Sequence, residues 1–431
     1  MHPDPQPPPD TRPGPGADRP RPVRISRWLV PALLAWALAD AAGRLGPVGW
    51  LHVLPEHEAT RRPGRYHPFT PDLTLRTDPW VGETALTGNL APTETRPPVT
   101  FGTDGLGFRR TPGVPPGGDV DLILYGGSSF AYGGGLSDDE TFPAVLTREA
   151  GVRVYNGGHF WRDPLTLESL DWLTGRLKGP RSAVVMIYWE DADPDPQGLH
   201  PKARRVDRYG ERLLGRDRFR SLRDDAEYAR RYARAVWSIS PVEVLSIRLY
   251  KALSNDRVLP NRYRSAVEAR TLPGGERMLF LEEEVARVLR PPGVDAVRRL
   301  GDYYAECARH LAAQGRGLYV VLVPNRYTLY GPPLDGSRAA PADPYLDRVE
   351  RELSRRGVAV LNGLAVLRPD AAGDLASGHL AFYREDHHWS PVGVGRIARA
   401  FARLLDRDVA RGARPRAGDP HPDRPRATDA L

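Results

Sequence analysis

The sequence predicts a doubly wound α/β fold built on a five-stranded parallel sheet. From about residue 119 onward, short runs rich in β-branched residues alternate with helical patterns, as in a parallel sheet covered by helices on both faces. Five of these runs are almost continuously apolar, which a strand buried on both faces requires. With 431 residues, 40% of them hydrophobic, the chain is large enough to bury such a core.

The elements follow in order along a domain at 119–407. The predicted strands are DLILYG (121–126), VRVYNG (152–157), AVVMIYW (183–189), GLYVVLV (317–323) and VAVLN (358–362). Helical patterns fill the intervals, at about 139–150, 165–178, 296–314, 343–356 and 391–406. The interval at about 195–292 is too long for a simple crossover, and we predict a mostly helical insertion there.

The segments outside this domain differ from it in composition. Residues 1–27 and 408–431 are rich in Pro and Arg and are predicted to be disordered. Residues 28–50 begin with an apolar run that follows four arginines, which predicts a cleaved signal peptide or a signal-anchor helix. Either one would put the following domain outside the cytoplasm, whereas a buried helix of a cytosolic protein is the alternative. Residues 52–118 are predicted to be an irregular extension wrapped onto the domain.

Charge and cysteine content exclude several classes of site. The net charge is +7, but acidic residues are mixed into every basic stretch, so nucleic-acid binding is not predicted. Cys307 is the only cysteine, which rules out an intramolecular disulfide, and its helical pattern places it in the core. A zinc cluster would lack ligands, and no metal or cofactor is predicted.

The first predicted strand ends in a turn rich in glycine and serine, YGGSSFAYG at 125–133. A strand, such a turn and then a helix would present a hydroxyl at the carboxyl end of a parallel sheet, where ligands bind in these folds. Backbone N–H groups of the same turn could stabilise an oxyanion. The pattern equally fits a tight turn in which a serine only caps the helix.

A second polar block, YREDHHWSP at 383–391, comes just before the last predicted helix. A serine nucleophile needs a base, and that base needs a carboxylate to fix its tautomer. His388 and Asp386 can supply both. Two alternatives stay open: these side chains bind a metal, or Ser390 and Pro391 merely start a helix. The metal is less favoured because no second His or Asp cluster completes a site.

These two blocks resemble those of the SGNH or GDSL-like hydrolases. The run GSSFAYGGGLSDDETF (127–142) matches the family's first block without a gap if Ser129 is the nucleophile and Ser128 replaces the usual Asp. A shift by one residue would make Ser128 the nucleophile. The resemblance implies the SGNH hydrolase fold, a flavodoxin-like doubly wound sheet. It also implies an oxyanion hole formed by the backbone N–H groups of Ser129 and Gly158.

One block departs from that family. Its third block normally supplies an Asn side chain to the oxyanion hole, and here Glu190 or Asp191 stands in that place. An ionised carboxylate would repel an oxyanion, and loss of one donor costs about 10² to 10³ in rate. We therefore expect weaker or differently organised activity, unless burial holds the acid protonated.

The C-terminal half resembles a narrower group, the SGNH-like O-acetyltransferases of exported polysaccharides such as alginate. The resemblance lies in Asp386-x-His388-Trp389, in VPNRYTLY (323–330) and in the stretch from Gly275 to Leu281, which we place at the head of a helical segment. In those enzymes the Asp-His block precedes the serine, whereas here the serine comes first. The two resemblances together span roughly 100–406.

The resemblance implies an extracytoplasmic serine esterase or O-acyltransferase with Ser129, His388 and Asp386 as its triad. It would carry O-acetyl groups to or from a polysaccharide, without a cofactor. Its implied partners are an acylated small molecule or polysaccharide, a membrane acyltransferase, and the membrane through the N-terminal segment. Two alternatives stay open: a GDSL-type carboxylesterase or lipase for small esters, and a non-catalytic glycan-binding scaffold.

Overall fold

The computed structural model describes residues 29–45, 68–77, 82–88, 90, 93–94, 96–115, 117–159, 167–177, 183–191, 267–336 and 343–410. The predicted disordered segment 1–27, most of the predicted tail and the insertion from 192 to 266 lie outside these residues.

Nine strands form within the described part of the chain. They are β1 (Thr74–Thr77), β2 (Val99–Gly102), β3 (Leu122–Gly126), β4 (Val154–Gly158), β5 (Ala183–Trp189), β6 (Val267–Thr271), β7 (Arg277–Leu281), β8 (Leu318–Val323) and β9 (Ala359–Asn362). Five of them form one parallel sheet in the order β4-β3-β5-β8-β9. These are the five predicted strands, with ends moved by one or two residues, in the flavodoxin-like order. The predicted fold class is confirmed.

The described residues also contain twelve α-helices. They are α1 (Leu29–Leu45), α2 (Glu83–Thr87), α3 (Ser129–Tyr132), α4 (Phe142–Ala150), α5 (Leu167–Thr174), α6 (Glu282–Leu289), α7 (Val294–Ala312), α8 (Arg326–Asp335), α9 (Tyr345–Arg355), α10 (Gly363–Leu367), α11 (Ala371–Ser377) and α12 (Pro391–Ala410). The last helix continues to Ala410, so the tail begins later than the predicted residue 408.

The sheet and its helices share one apolar core. Every residue of β3, β4 and β8 is buried, as strands covered on both faces must be. The apolar stripe of α7 buries Leu300, Tyr304 and Cys307 in this core. Cys307 therefore has the packing position predicted for it.

The extension before the sheet is more ordered than predicted, because β1 pairs with β2 in an antiparallel two-stranded sheet. Phe69 and Phe101 pack edge-on against each other and against Tyr132 of α3, with ring centroids 5.2 to 6.3 Å apart. Such contacts add about 0.5–1.5 kcal/mol each beyond their buried area. The extension is thus fixed to the helix that follows the serine turn.

The apolar run predicted to direct export contains α1, which is 17 residues long. Leu33, Leu34 and Trp36 on this helix are exposed. Among the residues that the structure describes, no helix has both the length and the apolar character needed to cross a membrane.

The described end of the insertion begins as a hairpin and not as a helix. Val267–Thr271 pairs with Arg277–Leu281 in antiparallel register, and α6 begins only at Glu282. The stretch from Gly275 to Leu281, predicted to head a helical segment, is therefore a turn followed by a strand. Its extended backbone has partners on two sides, because Leu279 also donates its N–H to the carbonyl of Arg384. That second partner lies about a hundred residues away and has no local sequence signal.

Candidate active site

The serine turn assigns different roles to its two serines. Ser128 precedes α3 with an extended backbone, and its hydroxyl accepts the N–H of Ala131 at 3.3 Å, which makes it the helix N-cap. Ser129 is the first residue of the helix and is half-buried, and the capping bond is made by its neighbour. The capping interpretation therefore fits Ser128, and Ser129 stays the predicted nucleophile.

Asp386 and His388 are bonded to each other in the loop before α12. Oδ1 of Asp386 lies 2.6 Å from Nδ1 of His388 and also accepts the His388 backbone N–H at 3.1 Å. Both side chains are buried. An ionised carboxylate only accepts hydrogen bonds, so Nδ1 must carry the proton and Nε2 is left as the basic nitrogen. This is the orientation that a general base beside a serine requires.

Asp386 is ionised despite its burial. Burial alone would raise the pKa of Asp386, but the adjacent His388 and the Arg96 guanidinium outweigh it and hold that pKa well below its usual range. Nη1 of Arg96 lies 2.8 Å from Oδ2 of Asp386, so both carboxylate oxygens have partners.

The two predicted blocks meet at Gly134. A Cβ atom added to this glycine would lie 3.1 Å from Cβ of Ser129 and 3.1 Å from Nε2 of His388. Both atoms therefore border the same space, in the turn that follows α3. Nε2 of His388 and Cβ of Ser129 lie on either side of a position that has no side chain.

Aromatic packing holds the two blocks together. Phe130, next to Ser129, has ring contacts with His388 at 5.4 Å, Trp389 at 5.6 Å and Trp189 at 5.2 Å. Trp389 in turn stacks on Phe142 of α4. Because Phe130, Phe142 and Trp389 are buried, these contacts fix the loop of His388 against the serine turn.

The predicted oxyanion-hole glycine has a different contact. The N–H of Gly158 donates to Oδ1 of Asn156 at 3.0 Å. Any side chain at Gly158 would collide with the backbone of Ala131 and Tyr132, so this glycine is what allows β4 to touch α3. In this structure Gly158 positions the helix of Ser129, and its N–H already has an acceptor.

The two acids that replace the third-block Asn lie beside Asn325, Glu190 buried and Asp191 half-buried. Glu190 accepts the Asn325 backbone N–H at 2.9 Å, and Asp191 accepts its side-chain amide at 2.9 Å. Burial raises the pKa of Glu190 to about 7 and that of Asp191 well above its usual value. The charge repulsion expected from an ionised acid at this position is reduced accordingly.

Four side chains place potential metal-ligand atoms within 4.8 Å of one another: Glu83, Asp386, His387 and His388. Glu83 comes from α2 and thus adds a donor that the sequence did not reveal. However, the Oδ atoms of Asp386 are engaged by His388 and Arg96, and the Arg96 guanidinium would repel a cation at this point. These contacts favour a hydrogen-bonded triad over a metal centre.

Sequence reasoning missed the residues that support the loop of Asp386. Arg326, fully buried at the start of α8, donates to the carbonyl oxygens of Tyr383 (3.1 Å), Arg384 (3.2 Å) and Asp386 (2.7 Å). Glu385 accepts from Thr93, Glu94 and Arg277. Arg326 lies within the VPNRYTLY stretch, but no local pattern pointed to this role or to Arg96.

Comparison with known proteins supports the predicted resemblance of the C-terminal half, which contains the block at 383–391. Residues 272–421 match the family model of the SGNH hydrolase-like domain of the acetyltransferase AlgX. The predicted resemblance is therefore confirmed for this part of the chain. The matched range contains Asp386 and His388 but not Ser129.

The other comparisons add little to the AlgX match. No curated protein is similar enough to count as a match. One solved structure is 14% identical, and the alignment covers 67% of this chain and 97% of the solved one. Its TM-score of 0.29 is too low to indicate a shared fold.

Proposed function

We propose that this protein is an extracytoplasmic serine acyltransferase of the SGNH type that moves O-acetyl groups to or from a polysaccharide. Its triad would be Ser129, His388 and Asp386. The observation that carries the proposal is the meeting at Gly134, where Cβ of Ser129 and Nε2 of His388 border the same space although they come from opposite ends of the domain.

The chemistry follows from the contacts. Nε2 of His388 takes the proton from Oγ of Ser129 as that oxygen attacks the ester carbonyl. Asp386 accepts from Nδ1 and stabilises the imidazolium that forms. The imidazolium then protonates the leaving alcohol, which leaves an acetyl-serine. Water or a sugar hydroxyl, deprotonated by the same His388, attacks this ester, and the imidazolium returns the proton to Oγ of Ser129 as that oxygen leaves.

The tetrahedral oxyanion needs hydrogen-bond donors near Ser129. We propose the backbone N–H of Ser129 as the first donor. The N–H of Gly158 would be the second, and it would have to exchange its bond to Asn156 for a bond to the oxyanion. The raised pKa values of Glu190 and Asp191 support this arrangement, since a neutral acid at the third-block position repels an oxyanion less than a charged one.

Two observations support an acetyl group and an exported polysaccharide as the substrates. The matched family model belongs to an acetyltransferase, and its range includes two of the three proposed catalytic residues. The arginines and the apolar run at 28–43 support export, with the N-terminal segment as an anchor or a cleaved signal. A membrane acyltransferase that supplies the acetyl group would be the partner.

The first test is covalent labelling with a fluorophosphonate, which reacts with an activated serine. We expect one labelled residue, Ser129, when the adduct is mapped by mass spectrometry, and no label in Ser129→Ala. Ser128→Ala is the matched control, because it removes a neighbouring hydroxyl and should keep the label. A label on Ser128 would move the nucleophile by one residue, and no label in the folded protein would contradict a serine enzyme.

A second test separates transfer from hydrolysis. We expect the release of p-nitrophenol from p-nitrophenyl acetate to speed up when an acceptor polysaccharide is added, with acetyl groups appearing on the glycan. A rate that does not change with glycan indicates a carboxylesterase or lipase. Glycan binding that persists in Ser129→Ala, without labelling or turnover in the unmodified protein, indicates a scaffold.

A further inference from the structure

A buried arginine from the N-terminal extension reaches the proposed triad. Arg96 lies outside the parallel sheet, yet its side chain is only 3% exposed. Its Nη1 donates to Oδ2 of Asp386 at 2.8 Å, and its guanidinium carbon lies 3.3 Å from the ring centroid of Tyr383. Because both partners belong to the loop of His388, this one side chain packs on the loop and bonds its carboxylate.

The same guanidinium also bonds the turn that follows α3. Nη2 of Arg96 donates to the carbonyl oxygen of Gly135 at 3.2 Å, and the hydroxyl of Tyr383 donates to that oxygen at 3.2 Å. Gly135 follows Gly134, the residue that separates Ser129 from His388. Arg96 therefore bonds both blocks at once, and its contacts constrain the distance between them.

Charge balance gives Arg96 a second effect. An unpaired carboxylate beside an imidazole strongly favours the imidazolium, which cannot act as a base. The Arg96 cation lies on the far oxygen of Asp386 and offsets part of that field. Other titratable groups also lie near this part of the loop. The ring centroid of His387 is 4.1 Å from that of His388, and an oxygen of Glu83 is 3.8 Å from Nδ1 of His388. Tyr383 and the Arg326–Glu284 pair also contact the loop.

We propose that Arg96 is a positioning residue of the triad: it fixes the rotamer of Asp386 that bonds His388, and its charge offsets part of the field of the Asp386 carboxylate at His388. This inference rests on the proposed function. The N-terminal extension would then contribute a residue to the active site. A catalytic role is not assigned to Arg96, since it acts through Asp386.

The experiment compares Arg96→Met and Arg96→Lys with the unmodified full chain. The readout is kcat/KM for p-nitrophenyl acetate from pH 5 to 9, with thermal unfolding measured in parallel. Loss of the cation favours the imidazolium, so we expect the acid limb of the profile in Arg96→Met to move up by about 0.5–1 pH unit. Activity would then fall more at pH 6 than at pH 8. Arg96→Lys keeps the charge and should keep the acid limb, with a lower kcat because one ammonium cannot bond both partners equally.

The matched control is Arg110→Met, since Arg110 lies in the same extension but is exposed and bonds Thr103 and Leu73. We expect its pH profile to be unchanged. If kcat/KM of Arg96→Met drops by the same factor at every pH, without a shift of the acid limb, Arg96 has a merely structural role. If Arg96→Met does not fold, Arg96→Lys alone decides the role of the charge. A shift of its acid limb would overturn that role, whereas an unchanged acid limb with a reduced kcat would support it. Fluorophosphonate labelling of the unmodified protein separates this outcome from a failure of the proposed function.

Discussion

Gly134→Ala is the sharpest perturbation of the proposed triad, because it adds one methyl group between the nucleophile and the base. The new Cβ would lie 3.1 Å from Cβ of Ser129 and 3.1 Å from Nε2 of His388. Ordinary contacts of a Cβ begin at about 3.4 Å, so the neighbours must separate by a few tenths of an ångström. The backbone itself tolerates alanine, since Gly134 is not among the residues with a positive φ.

The expected loss follows from this displacement. Misplacing reacting groups by about 1 Å can cost 10²-fold in rate, so a shift of a few tenths predicts a drop of about 10-fold to 10²-fold in kcat/KM. That range corresponds to about 1.4 to 2.7 kcal/mol of transition-state stabilisation. Stability should change little, because the strain of overpacking is offset by the lower entropy of an unfolded chain with alanine.

The assay is hydrolysis of p-nitrophenyl acetate, with urea denaturation of the same samples. Gly373→Ala is the matched control: Gly373 lies in α11, and a Cβ added there has nothing within 4 Å. We expect the control to keep full activity. If Gly134→Ala retains activity at the level of Gly373→Ala, then Ser129 and His388 do not react across this space, and the triad proposed here is wrong.

Three further predictions concern stability. Ser128→Ala removes the N-cap of α3 and should cost about 1 kcal/mol in urea denaturation while fluorophosphonate labelling persists; loss of the label would point to Ser128 as the nucleophile. Arg326→Met leaves Glu284 buried without its ion partner and should cost about 3–5 kcal/mol, part of which Glu284→Met should restore in the double variant; strictly additive losses would contradict this. Burial raises the pKa of Glu190 from 4.5 to about 7 in the folded protein. The stabilisation from the bound proton is therefore complete below pH 4.5, and the free energy of unfolding should fall by about 3 kcal/mol as pH rises to 7. Glu190→Gln should lack this fall, and parallel pH curves for the two proteins would refute the prediction.

The sequence by itself determined the sheet and the two ends of the proposed reaction. Strands buried on both faces must be continuously apolar, so all five could be predicted from local pattern, and the flavodoxin-like order followed from the resemblance of the serine block. The Asp386-x-His388 spacing fixed which carboxylate can orient which imidazole, because both lie within one short loop. The choice between Ser128 and Ser129 stayed open at that level, and the structure favours Ser129 through the capping bond of its neighbour and through the space that its Cβ shares with His388 at Gly134.

Only the tertiary structure decided what surrounds these residues. Arg96, Glu83 and Arg326 reach the loop of His388 from segments far away in the chain, and a contact of that kind depends on how the segments pack and leaves no periodic pattern. The hairpin of β6 and β7 was predicted as helix for the same reason, since part of its hydrogen bonding is to Arg384. Local patterns report which side of an element is buried, whereas partners across the fold are selected by the shape and charge of the whole assembled core.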